Sequence, residues 1–222
     1  MYYNHHISYP YPFEVDGEIY IIPEKSGTGT TDIIKLKSSL STSEIISTID
    51  IPMIDPTLFF YKGIWWIFYT LNGTSNDIKK SYMNVKLHAI YSDSFKGPWI
   101  QHKLNPLKTD VTSSRPAGQV FEKDGSLFFP TQDCSKTYGS AITINKINHL
   151  SPENFEDEFY TTLRPDETSI YNNGVHTISF LDDRIFIDAK YLQKVVKYRR
   201  LVILLILFLF MAIVFKYLLD NF

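Results

Sequence analysis

Cysteine is nearly absent from this chain of 222 residues, Cys134 being the only one. A single thiol excludes an intramolecular disulfide framework and a zinc site built from four cysteines. Cys134 also lacks a histidine partner in the surrounding sequence, which argues against a nucleophile. Phosphate-binding loops, Ser-His-Asp signatures and dinucleotide fingerprints are missing as well. The N-terminus, MYYNHHISYPYPFEVDGE, has neither a basic region nor an apolar run, so no secretory signal is read there and a cytoplasmic setting is expected. His5 and His6 are adjacent, without the spacing or the third ligand of a metal site, and no cofactor is expected.

Positive charge is scarce over most of the chain. From Lys190 onward lie six of the 22 basic residues and one of the 24 acidic ones, which leaves 16 basic and 23 acidic residues in 1–189. That head is acidic and has no basic stripe, so it lacks the electrostatic footprint of a nucleic-acid binder. Aromatic residues, by contrast, are plentiful: 16 Phe, 15 Tyr and 3 Trp, enough for a substantial core.

Long apolar runs are absent except for one. Leu201 to Phe215, LVILLILFLFMAIVF, is uncharged throughout, and Lys216 can snorkel so that the run continues through Leu219. A helix over 201–219 would be roughly 28 Å long at ~1.5 Å per residue, close to a hydrocarbon core of ~30 Å. Five basic residues precede it within 190–200 and only Lys216 lies near its far end, which predicts a single-pass, tail-anchored protein with a cytoplasmic head. The sequence thus divides into a head (1–189), a basic juxtamembrane stem (190–200), a transmembrane helix (201–219) and a tip (220–222).

Within the head a phrase recurs: FEVDGEIYIIPE (13–24), FFYKGIWWIFYT (59–70), FEKDGSLFFPTQ (121–132) and, more weakly, SFLDDRIFIDAK (179–190). Each reads as an aromatic strand, a two-residue turn and a second aromatic or β-branched strand, a hairpin signal. Further strands are expected at TDIIKLK (31–37), KLHAIYSDS (86–94) and SAITINKI (140–147). Units of four antiparallel strands repeating at this interval predict an all-β head of β-propeller type, a β-sandwich being the competing architecture. The only helical expectation in the head is a short turn at SPENFEDE (151–158).

The segments SYPYPFEVDGEIYIIPE, IDPTLFFYKGIWWIFYT, YSDSFKGPW, LNPLKTDVTSSRPAGQVF, PTQDCSKTYGSAITINKI and GVHTIS, in this order, resemble the N-terminal domain family of glucosamine inositolphosphorylceramide transferase and its bacterial relatives. The resemblance covers about residues 6–189. It implies a fold similar to the five-bladed propellers of family 43 glycoside hydrolases, with about four blades recognisable and the first one apparently missing. It also implies a setting beside a transferase. Asp55 matches the aspartate that tunes the acid's pKa in those hydrolases, whereas Arg115-Pro116 stands where they carry the acid glutamate before a proline. An arginine cannot shuttle a proton.

Glu24, Asp55 and Asp133 are the candidate carboxylates, and Arg115 is expected to hold them ionised, when glycoside hydrolysis needs one raised in pKa. Glu24, Asp55, Arg115, Gln132, Asp133, Tyr138 and His176 therefore read as a polar pocket for a sugar, sugar-phosphate or glycolipid headgroup, with Arg115 as the anion contact. A structural ion pair for Asp55 and Arg115, and a strand hydrogen bond for His176, are the alternatives at those positions. The leading expectation is a non-hydrolytic recognition module tethered to a membrane. A glycosidase or glycosyl-transferring enzyme using Glu24 with Asp55 or Asp133 is the second, and a scaffold for a partner transferase the third.

Overall fold

The computed structural model describes residues 6–37, 42–71, 85–181 and 183–192. The expected tight turns organise it. Strands β1 (Ser8–Val15) and β2 (Glu18–Glu24) join at Asp16-Gly17, and β3 (Thr31–Leu36) and β4 (Ser43–Ile49) complete a four-stranded antiparallel sheet. The second sheet starts with β5 (Met53–Tyr61) and β6 (Ile64–Leu71), joined at Lys62-Gly63. It continues through β7 (Lys86–Ser92), which pairs with the short β8 (Ile100–Gln101) and β9 (Lys108–Thr109).

In the third sheet β10 (Arg115–Pro116) and β11 (Phe121–Lys123) both pair with β12 (Ser126–Asp133), followed by β13 (Ala141–Leu150) and β14 (Phe155–Leu163). A hairpin of β15 (Val175–Leu181) and β16 (Arg184–Ala189) forms the fourth.

Three of the turns have positive φ at both central residues: 53° and 75° at Asp16-Gly17, 49° and 83° at Lys62-Gly63, 50° and 70° at Asp124-Gly125. Such primed turns match the right-handed twist of the strands they join, and glycine at the second position adopts them without steric cost. All four recurring phrases are therefore hairpins, and the further strands anticipated at 31–37, 86–94 and 140–147 are β3, β7 and β13. The helical turn expected at 151–158 is not formed. Ser151 and Asn154 close a tight turn, with Ser151 N donating to Asn154 O at 3.0 Å, and Phe155 already starts β14. Pairing with the long β13 outweighs a local helix signal of a few residues. Apart from one 3₁₀ turn at Ser26–Thr28, the described residues are all-β.

Packing occurs between sheets, not within one closed sandwich. Ile22, Ile33, Met53, Ile67 and Tyr69 fill the layer between the first two sheets, and Trp66, Phe68, Phe129, Leu127 and Ile147 the layer between the second and third. Ala117, Phe128, Ile142, Val175 and Ile178 bind the third to the fourth. Alternation along β6 feeds both neighbours: Trp65 packs against Phe95 on one face, while Trp66, 1% exposed, lies in the other layer. The tandem tryptophans thus serve inter-sheet packing.

A feature at the head of the first strands positions the polar centre. The ladders of β1, β5 and β15 each carry a register irregularity, at Ser8/Tyr11, Ile54/Thr57 and Val175/Ile178. At the first two a residue preceding proline takes positive φ, 45° at Tyr9 and 47° at Asp55. Non-glycine residues rarely occupy this region, and a bulge there re-aims the side chain. Tyr9, Asp55, Arg115 and His176 lie on β1, β5, β10 and β15, the first strand of each of the four sheets.

Residues up to Tyr191 form one unit, and Leu192–Phe222 a second. The expected transmembrane helix at 201–219, the tip and the stem beyond Leu192 lie outside the described residues. No helix among the described residues is long and apolar enough to cross a membrane.

Candidate functional site

Asp55 is at the centre of the polar cluster and only 2% exposed. Its Oδ2 accepts from Arg115 Nε at 2.6 Å and from Gln132 Nε2 at 2.7 Å. Arg115 and Gln132 are cross-strand partners on β10 and β12, so one register delivers both donors to the same oxygen. Gln132 Nε2 also reaches Pro116 O at 2.9 Å. Arg115 in turn extends toward Glu24 Oε2 at 3.9 Å and Tyr138 Oη at 3.4 Å, with its Cζ 4.8 Å above the Tyr138 ring. Tyr9 joins from β1, its hydroxyl 2.9 Å from Thr57 Oγ1.

Glu24, at the end of β2, does not behave as expected. Burial, and then the negative charge of Asp55, push its carboxyl up to about 7, and Arg115 offsets this only in part. The expectation that Arg115 would keep this carboxylate ionised is therefore overturned, because the guanidinium is closest to Asp55 and Glu24 is left beside a second acid. The Glu24 and Asp55 carboxyls both approach the Arg115 guanidinium, at 3.9 and 2.6 Å.

Of the seven residues singled out in the sequence, Glu24, Asp55, Arg115, Gln132 and Tyr138 come together in this cluster. His176 approaches its edge, with its ring 5.4 Å from that of Tyr138 and Nδ1 against Asp188 Oδ2. Burial works to raise the Asp188 carboxyl, but His176 and the Thr177 N–H, 2.6 Å from Oδ1, hold it below the usual range. Asp133 is turned to its own loop, where Oδ1 accepts from Ser135 N at 2.9 Å and Ser135 Oγ at 2.6 Å. Burial pushes the Cys134 thiol up, away from the thiolate a nucleophile needs. Among the described residues no group of three His, Cys, Asp or Glu side chains is disposed to hold a metal ion.

Tyr9 and Asp188 were not anticipated. Tyr9 could have been found from its spacing, since Tyr9-Pro10 and Asp55-Pro56 each stand eight residues before the turn glycine, Gly17 or Gly63. Asp188 carries no comparable signal, because its role comes from pairing of β16 with β15.

A cavity of about 710 Å³ opens beside the cluster, between β1 and β15. Asp55, Gln132, Tyr138 and His176 contribute polar groups, and Phe13 and Phe180 contribute apolar wall. A mostly apolar cleft of this size with a few convergent polar groups is the ordinary form of a small-molecule site.

Residues 1–177 match the family described as glucosamine inositolphosphorylceramide transferase 1, N-terminal. The chain is 37% identical over 155 residues to glucosamine inositolphosphorylceramide transferase 1 of Oryza sativa subsp. indica, covering 68% of this chain and 20% of that protein. Its identity to the Arabidopsis thaliana protein of the same name is 33% over 157 residues, with the same two shares. The chain thus spans about a fifth of the length of these curated relatives.

Among solved structures, the GH43_1 enzyme from Xanthomonas citri, complexed with xylose, superposes with a TM-score of 0.56 at 12% identity. The match covers 84% of this chain and 67% of that one. An exo-beta-1,3-galactanase from Clostridium thermocellum gives 0.50 at 13% identity, covering 81% and 44%. At such identities the likeness is one of fold, and the fold is that of the family-43 propellers.

Proposed function

This chain belongs to the glucosamine inositolphosphorylceramide transferase 1 N-terminal family, and on that premise we propose that its head is a non-hydrolytic module recognising a sugar or glycolipid headgroup in glycan or glycolipid synthesis. The observation that carries this reading is the state of Asp55, whose Oδ2 is held by Arg115 and Gln132 at the edge of a cavity of ligand size. A carboxylate so engaged is held in place and is a good fixed point for hydrogen-bonded ligand hydroxyls.

One observation favours the enzymatic reading: a carboxyl raised to about 7, as Glu24 is, suits a general acid at neutral pH. The geometry argues against it. Glycoside hydrolysis needs two carboxyls free to flank the bond, and Asp55 is only 2% exposed with its Oδ2 already held by Arg115 and Gln132. Asp133 is engaged by Ser135.

The apolar run at 201–219 and the basic residues before it support a membrane tether with the head on the cytoplasmic side. A partner transferase would then meet its substrate at the same surface.

Glycan-array and lipid-overlay binding by the full chain in a non-ionic detergent tests the reading, alongside hydrolysis of a panel of aryl glycosides. Binding without turnover is the expected result. Turnover by the parent that Glu24→Gln abolishes would replace it with the enzymatic reading, and neither binding nor turnover would leave a scaffold. Protease added to intact cells expressing the chain should leave the head uncut; digestion there would reverse the topology.

A further inference from the structure

Resting on the carbohydrate reading above, the geometry points to a site that selects an uncharged, hydroxyl-rich ligand over a phosphorylated one, with Gln132 Oε1 accepting from a ligand hydroxyl. Three observations lead there. The first is the orientation of the Gln132 amide. Nε2 contacts two acceptors, Asp55 Oδ2 at 2.7 Å and Pro116 O at 2.9 Å, so it must be the nitrogen, and the other amide atom must be the oxygen. That Oε1 is fully buried and has no hydrogen-bond partner among the described residues, while Gln132 itself lines the cavity. A buried acceptor left unpaired costs free energy, and a hydroxyl arriving from the cavity would satisfy it.

The second observation concerns Arg115, the anion contact anticipated from sequence. Its Nε is bonded to Asp55 at 2.6 Å, and a terminal nitrogen lies 3.9 Å from Glu24, so two carboxyl groups already draw on its charge. Asp55 is among the described residues that line the cavity, and Arg115 is not. An entering phosphate would therefore meet a carboxylate before it met the guanidinium.

The third is the remainder of the wall. Among the described residues its other ionisable lining groups are Glu14, Asp188 and His176, and Asp188 is paired with His176. The cavity thus presents an excess of acceptors and acids. Ligand hydroxyls can donate to these groups, whereas phosphate oxygens would be repelled by them. Phe13 and Phe180 offer apolar surface for the carbon face of such a ligand.

The test uses the full chain in non-ionic detergent, titrated calorimetrically with galactose, xylose and myo-inositol, and separately with galactose 1-phosphate and inorganic phosphate. At least one neutral probe should bind ten-fold or more tightly than galactose 1-phosphate and phosphate. Gln132→Met, which keeps the side-chain length and removes the acceptor together with the Nε2 donor to Asp55 and Pro116, should weaken that neutral probe ten-fold or more. Asp55→Asn removes the carboxylate that faces the anion, so it should raise phosphate affinity at least five-fold; loss of structure alone would not produce such a gain.

Tighter binding of galactose 1-phosphate or phosphate by the parent overturns the inference and leaves the carbohydrate reading standing. Absence of binding by every probe overturns both. Should either variant fail to fold, the comparison of neutral and phosphorylated probes on the parent still decides the matter.

Discussion

Arg115 and Asp55, sixty residues apart in sequence, are joined by a 2.6 Å bond from guanidinium Nε to carboxylate Oδ2 in a setting where both are buried. The bond ties the second sheet to the third and fixes the floor of the cavity. Two charges withdrawn from water recover that cost only while both remain, so the pair behaves as a unit.

Removing one member should therefore harm the protein more than replacing both. Arg115→Met leaves Asp55 buried beside Glu24 without its cation and should cost about 3–5 kcal/mol of stability. The double replacement Arg115→Met with Asp55→Asn should cost clearly less than the single one. Urea denaturation of the full chain in non-ionic detergent measures both, together with Asp55→Asn alone, and a double loss equal to the sum of the two single losses would show that the pair is not coupled.

Glu24 makes stability depend on pH in an unusual direction for a carboxylate. Its carboxyl titrates at about 7 in the folded state against 4.5 ordinarily, so between those values the folded chain holds a proton that the unfolded chain has released. The stability it contributes is fully present below 4.5 and is lost as pH rises toward 7. Asp110 and Asp188, both lowered, act in the opposite sense and only as pH falls below about 3.8. Between pH 4.5 and 7 the urea midpoint of the parent should fall relative to that of Glu24→Gln, which removes this contribution and leaves the opposing one of His88, held below its usual range by burial and then Lys86. An unchanged slope in the variant would move its cause elsewhere.

Gly118 is where the last hairpin meets the third sheet. It bridges Ile178 in parallel, Ile178 N donates to Ala117 O at 2.8 Å, and φ at Gly118 is +125°. A β-carbon there would stand 1.8 Å from Ile178 O, which is backbone and cannot swing aside. Gly118→Ala should cost well over the ~1 kcal/mol usual for a glycine position and loosen β15 and β16 before the rest. Hydrogen exchange is the measurement, with faster exchange in 175–189 than in β5 and β6 as the expected pattern.

The adjacent tryptophans should differ in weight. Trp66 lies in the layer shared by the second and third sheets, close to fully buried, whereas Trp65 is only partly covered. Trp66→Ala should destabilise by about 3–5 kcal/mol and Trp65→Ala by distinctly less. Thermal unfolding of the two variants compares them directly.

What the amino-acid sequence determined by itself is the set of short-range features. Asp-Gly and Lys-Gly pairs specify primed turns because only certain residues tolerate positive φ, and aromatic alternation specifies strands with two packing faces. Those two facts made the hairpins, the all-β class and the opposed placement of Trp65 and Trp66 legible. Most of the polar cluster was legible too, since Asp55, Arg115, Gln132 and Tyr138 sit in distinctive segments near strand ends. Tertiary structure alone decided what those groups became. Which carboxyl lies nearest the guanidinium, which amide oxygen stays unpaired and which acid keeps its proton depend on burial and on neighbours brought from distant sheets. Charge interactions and desolvation are set by distances in space, and here those distances are fixed by strand register and sheet packing that no local pattern encodes.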